Sequence, residues 1–297
     1  MCLLIEEFTV DIGMELGLSK CSVIHIQKGK FANLGGVTLR SGGIIQQLKE
    51  DEGYKYLGIE ELVGIKHEQM KEKIWKKAKA KLRKLLETEL NSINMTLAIN
   101  ECILPIISYS FGIINWLESD LKQIDVNIRK MLHMYKMLHI KNDVDRLYGP
   151  RDVGGRGLIS AWDSFKTSVA RIAHVMKHSE SMILQICCKL DQTKLYSNIK
   201  RAMKYEAEMP IDYPKGFGDK SVMHQAKIKA ALIRKKQLDV RIQTWQEKPQ
   251  HGAFMRQMEE IGADMKGTFG WLNTKQLCTR SVLRIIHVRS AGDGNFH

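Results

Sequence analysis

From Lys66 onward the apolar residues stop alternating and begin to recur every three or four positions. Met70, Ile74, Ala78, Leu82, Leu85, Leu86 and Leu90 fall on one side of a helix with that period. The chain from there on is therefore expected to be built of amphipathic helices. The opposite side of this first one carries Lys71, Lys73, Lys76, Lys77, Lys79, Lys81, Arg83 and Lys84, offset before Glu87 only by Glu68 and Glu72. Lysine runs are often no more than a solvated face, but a face of one sign tilts the reading toward a polyanionic partner.

The later segments follow the same rule. Met95 to Trp116 is apolar almost all round, which predicts a central buried helix bent at Pro105. Ser119 is placed to cap a helix through Ile124, Ile128, Met131, Leu132 and Tyr135. Trp162 to Met176 and Met182 to Met203 read as two more helices. Ser221 to Trp245 reads as a second basic one, with Ile228, Leu232, Leu238, Ile242 and Trp245 inside. Its Lys227, Lys229, Arg234, Lys235, Lys236 and Arg241 are expected mostly outside. Phe254 to Leu272 closes on Gly270-Trp271-Leu272, and Ala291 to His297 reads as a frayed end.

Between the two halves lies a joint, Arg146 to Leu158, broken by Gly149-Pro150 and Gly154-Gly155. Arg146, Arg151 and Arg156 recur at intervals of five, so a compact turn brings their guanidinium groups together. A phosphate backbone is one acceptor for them; Asp143, Asp145 and Asp152 nearby are the other.

Upstream the pattern differs. Phe8 to Leu18 reads as the end of a helix stopped at Gly17, and Lys20 to Ile26 alternates as a half-buried strand does. Val37-Leu39, Gly43-Gln46 and Tyr54-Ile59 are further short strands, separated by glycine pairs and Glu52-Gly53. The expected fold is thus mainly α, with a small N-terminal antiparallel β patch followed by a multi-helix region. The expected divisions are 1–60, 61–145, 146–210 and 211–297.

The net charge of the 297 residues is +13, and their 44% hydrophobic share excludes a disordered basic tail. The six cysteines are scattered without a C-x-x-C pair, which argues against a zinc site and for reduced thiols in the cytoplasm or nucleus. Cys102 to Leu117, the most apolar run, contains Pro105 and Asn115 and falls short of the about 20 residues that span a bilayer. No membrane partner is expected.

Other constellations have plainer readings. His174 and His178 stand at i, i+4 with no third ligand in range, and are expected to be a surface pair. Gly154-Gly155-Arg156-Gly157 lacks the Lys-Ser/Thr of a phosphate-binding loop. Cys187-Cys188 is expected to fill core, and Trp75, Trp162, Trp245 and Trp271 to pack between helices.

At Asp11 to Cys21 and again at Tyr54-Lys55-Tyr56-Leu57-Gly58-Ile59, the chain resembles the reverse transcriptases of non-LTR (LINE-like) retrotransposons. The likeness continues through Ala98-Ile99-Asn100, Pro105, Tyr109-Ser110, Trp116, Arg146-Leu147-Tyr148, Pro150-Arg151 and Gly154-Gly155-Arg156-Gly157-Leu158. It resumes at Lys248 to Gly252 and Gly270-Trp271-Leu272, so that it reaches to about residue 275. The tyrosine motif and the Gly-Gly-Arg-Gly-Leu motif, in this order and separation, are its most specific parts.

The resemblance implies a palm edge, a primer grip at Tyr54, Tyr56, Leu57 and Gly58, and a helical thumb and connector behind it. Lys20 matches a lysine near the incoming nucleotide. Lys71, Lys73, Lys76, Lys77, Arg83 and Lys84, with Arg146, Arg151 and Arg156, are then the expected nucleic-acid contacts. The partner is an RNA/DNA duplex or template RNA, and also the palm and fingers of the parent enzyme. That parent copies RNA into DNA with Mg²⁺ held by an aromatic-x-Asp-Asp loop. No Asp-Asp pair occurs in this sequence, and Asp143-x-Asp145 is the nearest imitation. No catalytic residue, cofactor or metal is therefore expected here. The chain reads as a piece of such a reading frame, bounded by an upstream loss and by a tail from Thr279 that leaves the pattern. It is expected to bind without polymerising. A host-retained, non-enzymatic helical interaction protein and a non-functional relic are the alternatives.

Overall fold

The computed structural model describes residues 2–49, 53–61, 64–139 and 141–273. The expected divergent tail lies outside the described residues. The chain divides into two compact units, Met1–Met70 and Lys71–His297.

The first unit holds helix α1 (Cys2–Asp11) and three two-stranded antiparallel hairpins: β1 (His25–Gln27) with β2 (Lys30–Ala32), β3 (Val37–Thr38) with β4 (Ile44–Ile45), and β5 (Tyr54–Tyr56) with β6 (Ile59–Glu61). The antiparallel patch is present, but its strands are shorter than expected. Lys20 to Ile26 is not one strand: Leu18–Lys20 makes a 3₁₀ turn, and Val23 bridges Gln47 in parallel before β1 begins. Likewise α1 stops at Asp11 rather than running to Leu18. Gly13 takes φ +69, and the Met14 N–H closes on the Thr9 carbonyl at 2.8 Å, a left-handed helix stop. Side chains tie the pieces together. Glu6 of α1 accepts from the backbone N–H groups of Arg40 and Ser41 at 2.9 and 2.8 Å, while the Gln47 amide bridges Gly35 and Ala32.

The second unit is helical. It comprises α2 (His67–Leu86, begun in the first unit), α3 (Ser92–Ala98), α4 (Leu104–Ser108), α5 (Glu118–Met134), α6 (Val144–Tyr148) and α7 (Ala161–His178). There follow α8 (Met182–Thr193), α9 (Asn198–Glu208), α10 (Val222–Glu247), α11 (Ala253–Glu260) and α12 (Met265–Phe269). The central helix is α7, against which α4, α5, α8, α9 and α10 all pack. Its inner face carries Ala161, Phe165, Val169, Ala170 and Ala173, all buried.

Several expected helices are subdivided, each for a local reason. Met95 to Trp116 is not one bent rod. Pro105 has no N–H for the carbonyl a turn back, and a π segment at Ile99–Ile103 sits between α3 and α4. Ser119 is not the cap of α5; the helix begins at Glu118, and the Asp120 carboxylate accepts from the Leu117 N–H at 3.0 Å. Met182 to Met203 breaks in two because buried Asp191 gathers the Ser197 hydroxyl at 2.7 Å and the Ile199 N–H at 3.0 Å, starting α9 afresh. At the far end Trp245, Met255, Phe269 and Leu272 form a small core of their own.

Candidate nucleic-acid interface

Helix α2 presents the charge that its sequence promises. Lys73, Lys76, Lys77, Lys79, Lys81, Arg83 and Lys84 are all exposed, while Ala78, Leu82 and Leu86 are buried. At about 100° per residue, Lys73, Lys77 and Lys84 project from one strip about 16 Å long, with Lys76 and Lys81 flanking it. The strip continues into a neighbouring groove of about 250 Å³, lined by Lys79 and Arg83 from α2 and by Asn127, Lys130, Met131, Met134 and Tyr135. None of those lining residues is acidic. Lys130 was not a candidate from the sequence, where nothing pairs α5 with α2. Its position between Ile128 and Met131, on a helix with buried neighbours on both sides, was the only available sign.

Lys71 departs from this face. It is buried, its ammonium lying 2.7 Å from the Asp120 carboxylate and 6.0 Å from the centre of the Trp116 ring. Seven and eleven residues separate it from Ala78 and Leu82, so it shares their inward side.

The joint arginines are also corrected. Arg146 and Arg156 are buried and Arg151 is half-buried, and all three hold their own chain. The segment folds back on itself: the N–H groups of Arg156, Gly157 and Leu158 reach the carbonyls of Arg146, Gly149 and Leu147 at 3.0, 2.8 and 3.1 Å. Gly154 permits this with φ +91, and a side chain at Gly155 would lie 2.1 Å from the Gly149 carbonyl oxygen. Arg146 Nε donates to the Gly154 carbonyl at 3.1 Å and its guanidinium sits 5.4 Å from the Trp245 ring centre. Arg151 donates to the carbonyls of Leu272 and Ser92 at 3.0 and 3.2 Å. Arg156 donates to the Met137 carbonyl at 2.6 Å and to Ser92 Oγ at 3.0 Å. Burial, with Arg151 and Arg146 adding to it, pushes the Arg156 guanidinium down to about 10. A turn that buries several carbonyls needs donors, and a guanidinium supplies five.

The aspartates expected beside them are engaged elsewhere. Lys248 reaches Asp143 at 2.5 Å and Asp145 at 2.7 Å, and Arg241 binds Asp163 and, at 3.3 Å, Asp145. Of the α10 cations expected outside, Lys229 is therefore buried, pairing with Glu206 at 2.6 Å, and Arg241 is half-buried. Lys227, Arg234, Lys235 and Lys236 remain exposed on that helix.

In the first unit Tyr54 to Ile59 is not one strand: the tyrosine motif is a two-residue hairpin, with Tyr56 opposite Ile59 and Leu57 and Gly58 at the turn. Their φ values of +47 and +87 are the left-handed pair that such turns require. Tyr54 Oη donates to the Lys20 carbonyl at 2.9 Å, which brings the expected nucleotide-proximal lysine against the hairpin. Lys20, Tyr56 and Leu57 are exposed.

Remaining candidates resolve simply. His174 is buried rather than at the surface, its Nε2 3.0 Å from Gln225 Oε1, and burial lowers its pKa. Cys187 is exposed and Cys188 half-buried, so the pair does not fill core. Trp162 stacks on Phe165 at 5.8 Å and meets Tyr205 edge-on at 5.6 Å. Among the described residues no three His, Cys, Asp or Glu side chains converge as a metal site, and no helix is long and apolar enough to cross a membrane.

No model of a known protein family matches this chain, and no curated protein shows significant similarity to it.

Proposed function

We propose that this chain is part of an RNA-directed DNA polymerase of the non-LTR retrotransposon kind. In this reading it holds template–primer nucleic acid on α2 and the adjoining α5 groove without extending a strand itself. The observation that carries the reading is the exposed, one-signed strip from Lys73 to Lys84, widened by Lys79, Arg83 and Lys130 in a groove whose lining residues include no acid. Such a surface suits a phosphate backbone, which is recognised by charge and spacing rather than by sequence. The exposed hairpin turn at Leu57-Gly58 is consistent with a primer-grip ancestry. The acids nearest to a catalytic pair, Asp143 and Asp145, already hold Lys248 and Arg241, so the Mg²⁺ of the parent enzyme finds no fitting ligands in them.

Binding of a labelled RNA/DNA duplex tests the first half. If the strip makes about three phosphate contacts, the slope of log K against log salt is about −2.7, or about 40-fold between 50 and 200 mM. Reversing Lys73, Lys76, Lys77 and Arg83 to Glu should abolish that affinity; salt-independent binding, or binding unchanged by the reversal, removes the proposal. Primer extension by the pure chain with Mg²⁺ tests the second half, and templated product overturns it. A second reading, a helical interaction protein, draws on the outer face of α8, where Met182 and Ile183 are 75% and 73% exposed.

A further inference from the structure

The joint, α7 and α10 enclose a pocket of about 170 Å³ that the α2 surface does not involve. Tyr148, Pro150 and Leu158 wall one side, and Thr167, Gln237 and Leu238 the other. A cavity of roughly 150 Å³ with apolar walls admits a six-membered aromatic ring, so this one has room for a planar ring system. Its polar groups say what kind of ring. The Gln237 amide meets Thr167 Oγ1 at 3.4 Å and the Asp163 carbonyl at 3.3 Å, both long contacts that a ligand's hydrogen-bonding edge can displace. The ions in the wall are already balanced, since Asp163 binds Arg241 and Lys166. Arg234 is different. It lines the pocket yet is exposed, which puts it at the mouth, and it has no ion pair among the described residues. Lys235 and Lys236 beside it are exposed too.

An apolar slot with an amide in its wall and a cation at its mouth complements a heteroaromatic ring carrying a phosphate. We infer that this pocket binds a nucleotide, its base between Tyr148, Pro150 and Leu238 and its phosphate on Arg234. The nucleotide comes either free, as a mononucleotide, or as an unstacked base of a single strand following the cations of α10. The second source deepens the nucleic-acid reading above; the first does not depend on it.

The full chain is titrated with adenosine 5′-monophosphate and, separately, with a short labelled single strand. Ser164→Trp fills the pocket from α7, and Arg234→Glu reverses its mouth. Each should weaken the bound probe by about tenfold or more, in line with the stacking of one base and the loss of one phosphate contact. Losses for the mononucleotide identify the free ligand, losses for the strand alone identify a captured base, and either upholds the pocket. Methyl resonances of Leu158, Ile159 and Leu238 in the unaltered chain give a readout independent of how the variants fold; they should move on addition of the bound probe. Unmoved methyls with both probes, or folded variants that bind both as before, overturn the inference. A strand that loses affinity on reversal of α2 but ignores Ser164→Trp, with methyls still, ends the pocket and spares the α2 reading. Methyl shifts with the mononucleotide, in a chain that does not bind the RNA/DNA duplex, do the reverse.

Discussion

Replacing Asp125 should show how firmly α7 is fastened to α5. Its carboxylate accepts from Ser160 Oγ at 2.6 Å, from the Ala161 N–H at 2.8 Å and, more weakly, from the Trp162 N–H at 3.4 Å. These are groups at the start of α7, the helix against which α4, α5, α8, α9 and α10 pack. Asp125→Ala leaves the Ser160 hydroxyl and the Ala161 N–H buried without that acceptor, at about 1–3 kcal/mol each. Removing a poorly solvated carboxylate returns part of this, so a net loss of about 3 kcal/mol is expected. In a unit of about two hundred residues that lowers Tm by about 6–12 °C. Asp125→Asn keeps the shape and one acceptor and should lose only about 1 kcal/mol at neutral pH. The two variants also differ from the parent in pH dependence. Burial raises the Asp125 pKa above the ordinary carboxylate range, outweighing the hydrogen bonds from Ser160 and Ala161. A folded pKa above the unfolded one means that the stabilising contribution is complete below the unfolded value, about 4, and fades as pH rises through the folded value. The parent should therefore gain stability over Asp125→Asn as pH falls across that window. Chemical denaturation at several pH values measures it; an advantage that grows toward neutral pH, or an alanine variant within 1 °C of the parent, refutes the reasoning.

Three further substitutions probe the joint and the hairpin. Gly155→Ala places a methyl 2.1 Å from the Gly149 carbonyl oxygen, and should cost about 2 kcal/mol or more, read as a lower denaturation midpoint. Arg156→Met removes the buried donors of the Met137 carbonyl and Ser92 Oγ, at about 1–3 kcal/mol each, but also a buried cation whose Nε has no partner among the described residues; a net loss of about 2 kcal/mol, or about 4–8 °C in Tm, is expected at neutral pH. Because its folded pKa of about 10 lies below the unfolded one, the parent gains stability only as pH climbs above that value, and the methionine variant should not. Leu57→Asn relieves a branched residue held at φ +47 and should slow amide exchange in the β5–β6 hairpin about two- to fivefold.

What the sequence could reveal divides along the range of the forces involved. The period of α2 was legible because solvent and core sort side chains every three or four residues, and that sorting needs no knowledge of the partner helix. The turn at Leu57-Gly58 was not legible in the same way: Tyr54 to Ile59 reads as one strand, and nothing in a leucine marks the left-handed φ it takes there. Lys71 was misplaced because one charged residue at an inward position looks like its exposed neighbours until Asp120, far along the chain, supplies its counterion. The joint arginines were misjudged for a similar reason. Both acceptors considered for them were charged, whereas the fold supplies backbone carbonyls from Met137, Ser92 and Leu272. The break before α9 turned on Asp191, whose carboxylate gives no periodic signal when it turns inward.

The bond from Arg151 to the Leu272 carbonyl spans 121 residues, and it sets an order of events during synthesis. Ser92, its other acceptor, leaves the ribosome before the arginine does, whereas Leu272 follows about 6–24 s later at ordinary elongation rates. For that interval the nascent chain carries a guanidinium half seated in its pocket, beside Phe269 and Trp245 surfaces not yet brought together. A chaperone that recognises basic and aromatic segments would meet this stretch open, and a message ending before Leu272 would leave it so.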